Sequence, residues 1–271
     1  MEIQWTLVFF TLLVGMGCGL FGVIAAVGLG NASFVSKKGV VTALVLLAAG
    51  GFSSVFHLAH PLKAIYVLTN LNTEFGRELL LIAAVGILMI IYLLRIDKTS
   101  DCGKRIICVL GIVFAAWTAF QSGYTYLLVA RPSWNTFLLP LCYLAAACAL
   151  GCIAFGLIVK NVSDQTQARM RLASFCAIIV QGILYLAYAS VPLTSKDADS
   201  SFFCSSDGLV VFWLGVLLFG IILPFVLLLP HPKINKWKGA LPLAFCCVII
   251  GGIAFRIMMY LLGSVSRMIP V

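Results

Sequence analysis

Residues 5–30 read WTLVFFTLLVGMGCGLFGVIAAVGLG, a run without one charged side chain. A helix needs about 20 apolar residues to cross a hydrocarbon core of roughly 30 Å, so this stretch alone is long enough to span a bilayer. Strands that cross membranes alternate apolar and polar side chains, whereas this run is apolar on every face, which points to a helix. Its glycines include Gly15 and Gly19 at the spacing that lets two helix backbones approach closely, and we expect them to serve packing.

The rest of the chain repeats the pattern. Of 271 residues, 62% are hydrophobic and 10% charged, against about 45–50% hydrophobic in soluble domains. A soluble enzyme is excluded. Charged residues and turn formers cut the sequence into eight expected spans, at about 5–30, 39–60, 77–95, 106–130, 135–159, 170–191, 208–229 and 240–262. The expected fold is therefore all-α, a polytopic membrane protein forming a bundle of eight transmembrane helices, and residues 1–271 are expected to form a single integral-membrane anchor domain. The start of the chain carries Glu2 and no basic stretch, so the first span is expected to be retained rather than cleaved as a signal peptide.

Eight spans place both termini on one side. One set of loops, including Lys37, Lys38, Arg95, Lys98, Lys160, Arg171 and Lys238, carries twelve of the 18 Lys and Arg residues, and the other set carries five. Cytoplasmic loops hold the excess of basic residues, so both termini are expected outside. The net charge of +9 is thus an orientation signal and not a sign of nucleic acid. No long soluble domain interrupts the spans, so a catalytic centre beyond the membrane would belong to another polypeptide.

Against this apolar background a few polar side chains lie too deep. Counting about 20 residues from Gly39 puts His57 and His60 at the outer end of span two, and counting back from Arg95 puts Glu78 within the outer end of span three. Helices joined by a short connection are neighbours by default, so an imidazole and a carboxylate reach the same membrane face. Ionisable groups in such places mark functional sites. Quinol oxidation is chemistry of this kind. It releases two electrons and two protons, and histidine or a carboxylate in apolar surroundings can accept a proton near neutral pH. We assign His57 as hydrogen-bond partner and first proton acceptor, and Glu78 as partner or exit relay. The residues also admit a plain interfacial histidine, with Glu78 paired to Lys63 or Arg77, and His60, ahead of Pro61, fits a structural role in the turn.

Other prosthetic groups find few ligands. The ten cysteines contain no CxxC pair, so no iron–sulfur cluster is expected in this chain. The third histidine, His231, belongs to an inner loop, so a haem held by two histidines is not expected, nor any other metal site. Arg256, toward the outer part of span eight, is expected to snorkel, or to balance Glu78 or meet an outer partner. Trp5, Tyr124, Tyr126 and Trp134 look like an aromatic belt, with a ring bordering a quinone pocket as the sharper alternative.

Two segments carry a family resemblance. His57-Leu58-Ala59-His60-Pro61-Leu62-Lys63-Ala64, followed by Asn70 and Arg77-Glu78-Leu79, resembles the HLGxPxRA…N…REI pattern of the membrane anchor subunits of dimethyl sulfoxide reductase. Pro132-Ser133-Trp134-Asn135-Thr136 is similar to that family's PxWNT segment. Ala59 stands where the family usually has glycine, and His60 where it commonly has glycine or serine. The resemblance implies the menaquinol-oxidising anchor of a three-subunit oxidoreductase of anaerobic electron transport. Its partners would be a molybdopterin catalytic subunit and an iron–sulfur subunit that receives the electrons, in a prokaryotic plasma membrane. Within it, His57 and Glu78 would be the quinol-site residues, with Arg77 and Trp134 beside them. Reduction of the terminal acceptor would belong to the catalytic subunit. Two other classes compete: a proton-coupled transporter using the same pair, and an anchor that docks a reductase without redox work.

Overall fold

The computed structural model describes residues 3–31, 33–55, 73–160, 163–194, 200–231, 234 and 237–264. They form α1 (Trp5–Gly30), α2 (Lys37–Val55), α3 (Glu74–Arg95), α4 (Asp101–Tyr124), α5 (Leu138–Ile158), α6 (Asp164–Thr194), α7 (Ser206–Leu228) and α8 (Ala240–Ser264). Seven of these are long and apolar enough to cross a membrane, α2 being the exception over its described length. The all-α, multi-pass reading of the sequence is thereby met. His57, His60, Lys63 and Asn70 lie outside the described residues.

Local chemistry sets the ends of the helices. The Thr73 hydroxyl accepts the Gly76 amide at 3.1 Å, so α3 starts at Glu74 rather than at the expected 77. Ser100 does the same for Gly103 at the head of α4. That helix stops at Tyr124, before the expected 130, and residues 125–137 form successive tight turns that carry the chain to α5. Leu127, Leu128 and Val129 extend the apolar run without being buried, Val129 being 86% exposed. In α7 the stretch Leu209–Ile222 is wound wider than an α-helix, its last turn closed by the Leu223 amide reaching back to the Leu218 carbonyl.

Consecutive helices run in opposite directions, so two rims alternate. The start of α1 meets the end of α2 where Ser53 donates to the Thr6 carbonyl at 3.0 Å. The start of α3 meets the end of α4 through Glu74 and Gln121, and the 125–137 turns meet the end of α8 through Trp134 and Met259. These contacts share one rim, called here the Glu78 rim. The opposite rim brings Lys37 to Asp97, and the Ser36 amide to the Tyr92 hydroxyl.

Helix α1 runs through the middle of the bundle, packed against α2, α4 and α5. Lipid is as apolar as leucine, so close packing rather than water exclusion holds such helices together. At the α1–α5 crossing the backbones touch: a Cβ built on Gly19 would stand 1.9 Å from the Ala147 carbonyl oxygen, and one on Gly151 would stand 2.3 Å from the Gly19 carbonyl carbon. Gly17 meets α2 the same way, 2.8 Å from the Ala43 carbonyl oxygen, while Gly15 has ordinary space. Of the pair expected to serve packing, Gly19 does so and Gly15 does not, while Gly17 makes the second close approach. Large apolar side chains such as Leu94, Phe52 and Ile183 remain on the outer surface, where lipid covers them.

Candidate functional site

Glu78 lies one turn into α3 and is 2% exposed, buried against α4. Its Oε2 accepts a hydrogen bond from the Thr125 hydroxyl at 3.1 Å. Its Oε1 is also buried and among the described residues has no hydrogen-bond partner; the Ser122 hydroxyl stands beside the carboxyl but donates to the Thr118 carbonyl at 3.2 Å. The Thr125 hydroxyl also lies 2.9 Å from the Gln121 carbonyl, so its single proton is shared between the two acceptors and Thr125 is fixed at the end of α4. A buried carboxylate with one oxygen satisfied and one open is costly unless a further donor fills the gap.

One turn outward on the same face stands Glu74, reached by the i, i+4 spacing of a helix. Its Oε2 accepts from Gln121 Nε2 at 3.0 Å, and its Oε1 pairs with Arg77 at 3.0 Å. The Glu74 side chain is 38% exposed and that of Arg77 51%, so the pair opens to the rim surface while Glu78 is sealed below it. Gln121 and Thr125, themselves four residues apart, thus hold two carboxylates in register along the α3–α4 seam. The ion pair of Arg77 shown here is with Glu74.

Trp134 is 3% exposed and belongs to the interior. Its indole N–H donates to the Met259 carbonyl at 2.7 Å, and its ring meets Tyr126 and Tyr260 edge-on at 5.7 and 5.9 Å. Arg131 covers the ring at 4.4 Å and donates to the Gly263 carbonyl at 3.1 Å. The tryptophan therefore ties the 125–137 turns to the end of α8, and the belt position expected for it is not where it sits. Trp5, 50% exposed, does face outward. Tyr126 closes the layer by bonding the Tyr260 hydroxyl at 3.1 Å. Burial pushes the Tyr126 phenol well above its ordinary range, with the Tyr143 and Tyr260 phenols, the Tyr260 bond and Glu78 adding to the effect, so it holds its proton.

Residues 1–262 match the family described as DMSO reductase anchor subunit (DmsC). The chain belongs to the DMSO reductase anchor subunit family. A comparison with curated proteins gives no match. Membership of a family of anchor subunits implies a complex with catalytic and iron–sulfur partners.

In this anchor Arg256 does not snorkel. It is 2% exposed, its Nε donates to the Thr11 hydroxyl at 2.7 Å and its Nη1 to the Gly252 carbonyl at 2.9 Å, and its guanidinium lies 4.7 Å from the centre of the Tyr143 ring. Among the described residues no Asp or Glu comes within ion-pair distance of it. Tyr143 and Tyr260 stand in the field of both Glu78 and Arg256, the single buried carboxylate and the single buried cation of the described residues. Among the described residues no three His, Cys, Asp or Glu side chains gather as metal ligands would.

Of the expected site residues, Glu78 is buried at the α3–α4 seam, Arg77 belongs to the surface pair beside it, Trp134 bonds the end of α8, and His57 lies outside the described residues. Glu74, Gln121 and Thr125 were not anticipated. The signal was present: a second carboxylate four residues before the buried one, and two polar residues at the same spacing where span four ends.

Proposed function

We propose that this anchor oxidises menaquinol at Glu78 and His57 and passes the electrons to the iron–sulfur subunit of a complex whose molybdopterin subunit reduces the terminal acceptor. The observation that carries the reading is the Glu78 carboxyl: buried, held on one oxygen by Thr125, open on the other. A quinol hydroxyl is a donor of the right kind for that open oxygen. Thr125 fixes the carboxyl's position, so the proton-accepting oxygen is presented without reorganisation.

Each quinol gives up two O–H protons and two electrons in becoming a quinone. His57 takes the first proton, being a base near neutral pH. Glu78 takes or relays the second, and Glu74 stands one turn nearer the rim to pass it to water. Gln121 keeps Glu74 against the seam, and Arg77 keeps its other oxygen at the surface. The electrons leave through the partner subunit. With basic residues marking the inner loops, the Glu78 rim faces outward in a prokaryotic plasma membrane, and the protons are released on that side.

Binding of a fluorescent quinol-analogue inhibitor to the purified complex tests this. Wild type should quench the inhibitor at one site per anchor, and His57→Ala and Glu78→Gln should each weaken binding at least about tenfold, the loss of a charge-assisted hydrogen bond. Undiminished binding in both variants would leave only a docking role for this subunit.

A further inference from the structure

The rim opposite Glu78 holds a hollow unrelated to the quinol reading. It has a volume of about 390 Å³ and lies between the end of α5, the start of α6 and the start of α8. Three cations from three helices border it: Lys160 just beyond α5, Arg171 on α6 and Lys238 just before α8. Leu157, Met170, Leu241 and Pro242 form its apolar wall, and Trp237 flanks it. Among the described residues no carboxylate lines it; Asp164 borders an adjoining hollow that shares Gln167 and Arg171.

We propose that this hollow binds the phosphodiester headgroup of an anionic phospholipid, with a two-phosphate headgroup of the diphosphatidylglycerol type the best match. Position argues for lipid. The cations sit where three spanning helices end, at the depth of headgroups, on the rim with the larger share of basic residues. Charge argues for phosphate, because basic pockets between spanning helices attract anionic headgroups. The apolar wall argues for a lipid over a free anion, since Leu157 and Leu241 continue along α5 and α8 into the span and give acyl chains a surface that inorganic phosphate would not use. Trp237, 50% exposed, is the amphipathic ring that favours this boundary. A lipid seated there would bridge α6 and α8 across the end of α5.

The purified complex, stripped of lipid in detergent, would be titrated with diphosphatidylglycerol, phosphatidylethanolamine or inorganic phosphate, and bound lipid counted by native mass spectrometry. Diphosphatidylglycerol should bind and phosphatidylethanolamine should not compete with it. Each cation removed should weaken binding about fivefold, so Lys160→Gln with Lys238→Gln should lose roughly 25-fold. Lys160→Arg with Lys238→Arg should bind as wild type does, and Lys38→Gln on the same rim should change nothing. Equal binding of the two phospholipids, displacement by millimolar phosphate, or a double glutamine variant within twofold of wild type would overturn the proposal. Should that variant fail to assemble, failure of the wild-type complex to take up diphosphatidylglycerol would overturn it alone.

Discussion

Replacing Glu78 by glutamine separates the carboxylate's chemistry from its packing. The amide has the same shape, and its oxygen can still accept the Thr125 hydroxyl now bonded at 3.1 Å. One neutral hydrogen bond is preserved and one buried group capable of charge is removed, so the fold should lose no more than about 1 kcal/mol. What disappears is the open oxygen that takes the proton, left without a partner among the described residues. General base catalysis contributes roughly 10²–10⁴-fold, so turnover with a reduced naphthoquinone and dimethyl sulfoxide should fall at least about 100-fold, equivalent to about 2.7 kcal/mol of barrier. Turnover driven by a soluble reductant that feeds the partner subunits directly should stay within twofold, which shows that the complex has assembled. If quinol-driven turnover of Glu78→Gln equals wild type across pH 6 to 8, Glu78 is a bystander and the mechanism fails.

Glu74→Gln should slow quinol-driven turnover about tenfold, less than direct loss of the base would, with KM for the quinol unchanged; added acetate should restore part of the rate, and a rate indifferent to acetate would make Glu74 merely structural. Trp134→Phe keeps an aromatic ring but loses part of the indole and its 2.7 Å bond to Met259, so the melting temperature should drop by an amount corresponding to about 2–3 kcal/mol while inhibitor affinity stays within twofold; a tenfold affinity loss would return Trp134 to the quinol pocket. Gly19→Leu drives side-chain atoms into the Ala147 carbonyl, 1.9 Å from where its Cβ must lie, and overpacking of this kind costs about 1–3 kcal/mol or more; the assembled complex should accumulate several-fold less in membranes, whereas Gly15→Ala, with its nearest neighbour 3.8 Å away, should not affect it.

Much of the fold is legible because a bilayer leaves so few options. Apolar runs separated by charges reproduce the helices to within several residues at each end, and at the Thr73 cap and the 125–137 turns local bonds overrode hydropathy. The burial of Glu78 is legible for the same reason, since a carboxylate within an apolar run is carried away from water with the helix. Its neighbours were harder to read, because Thr and Gln at a span end look like ordinary boundary residues until the α3–α4 seam puts them opposite Glu78 and Glu74. Arg256 was misread since its distance from the helix end fits snorkelling, whereas Thr11, Gly252 and Tyr143 from three helices draw it inward. Trp134 was misread in a related way: an aromatic beside a span end looks like a belt residue, and its partner carbonyl at Met259 is 125 residues away in sequence.

The central claim is that a quinol ring meets the open oxygen of Glu78. A structure of the whole complex with a bound menaquinol analogue measures this directly. The account places one ring oxygen within hydrogen-bond distance of Glu78 Oε1, on the rim shared with Glu74 and Arg77. An analogue bound on the opposite rim, or elsewhere with that oxygen bonded only to protein, would contradict it.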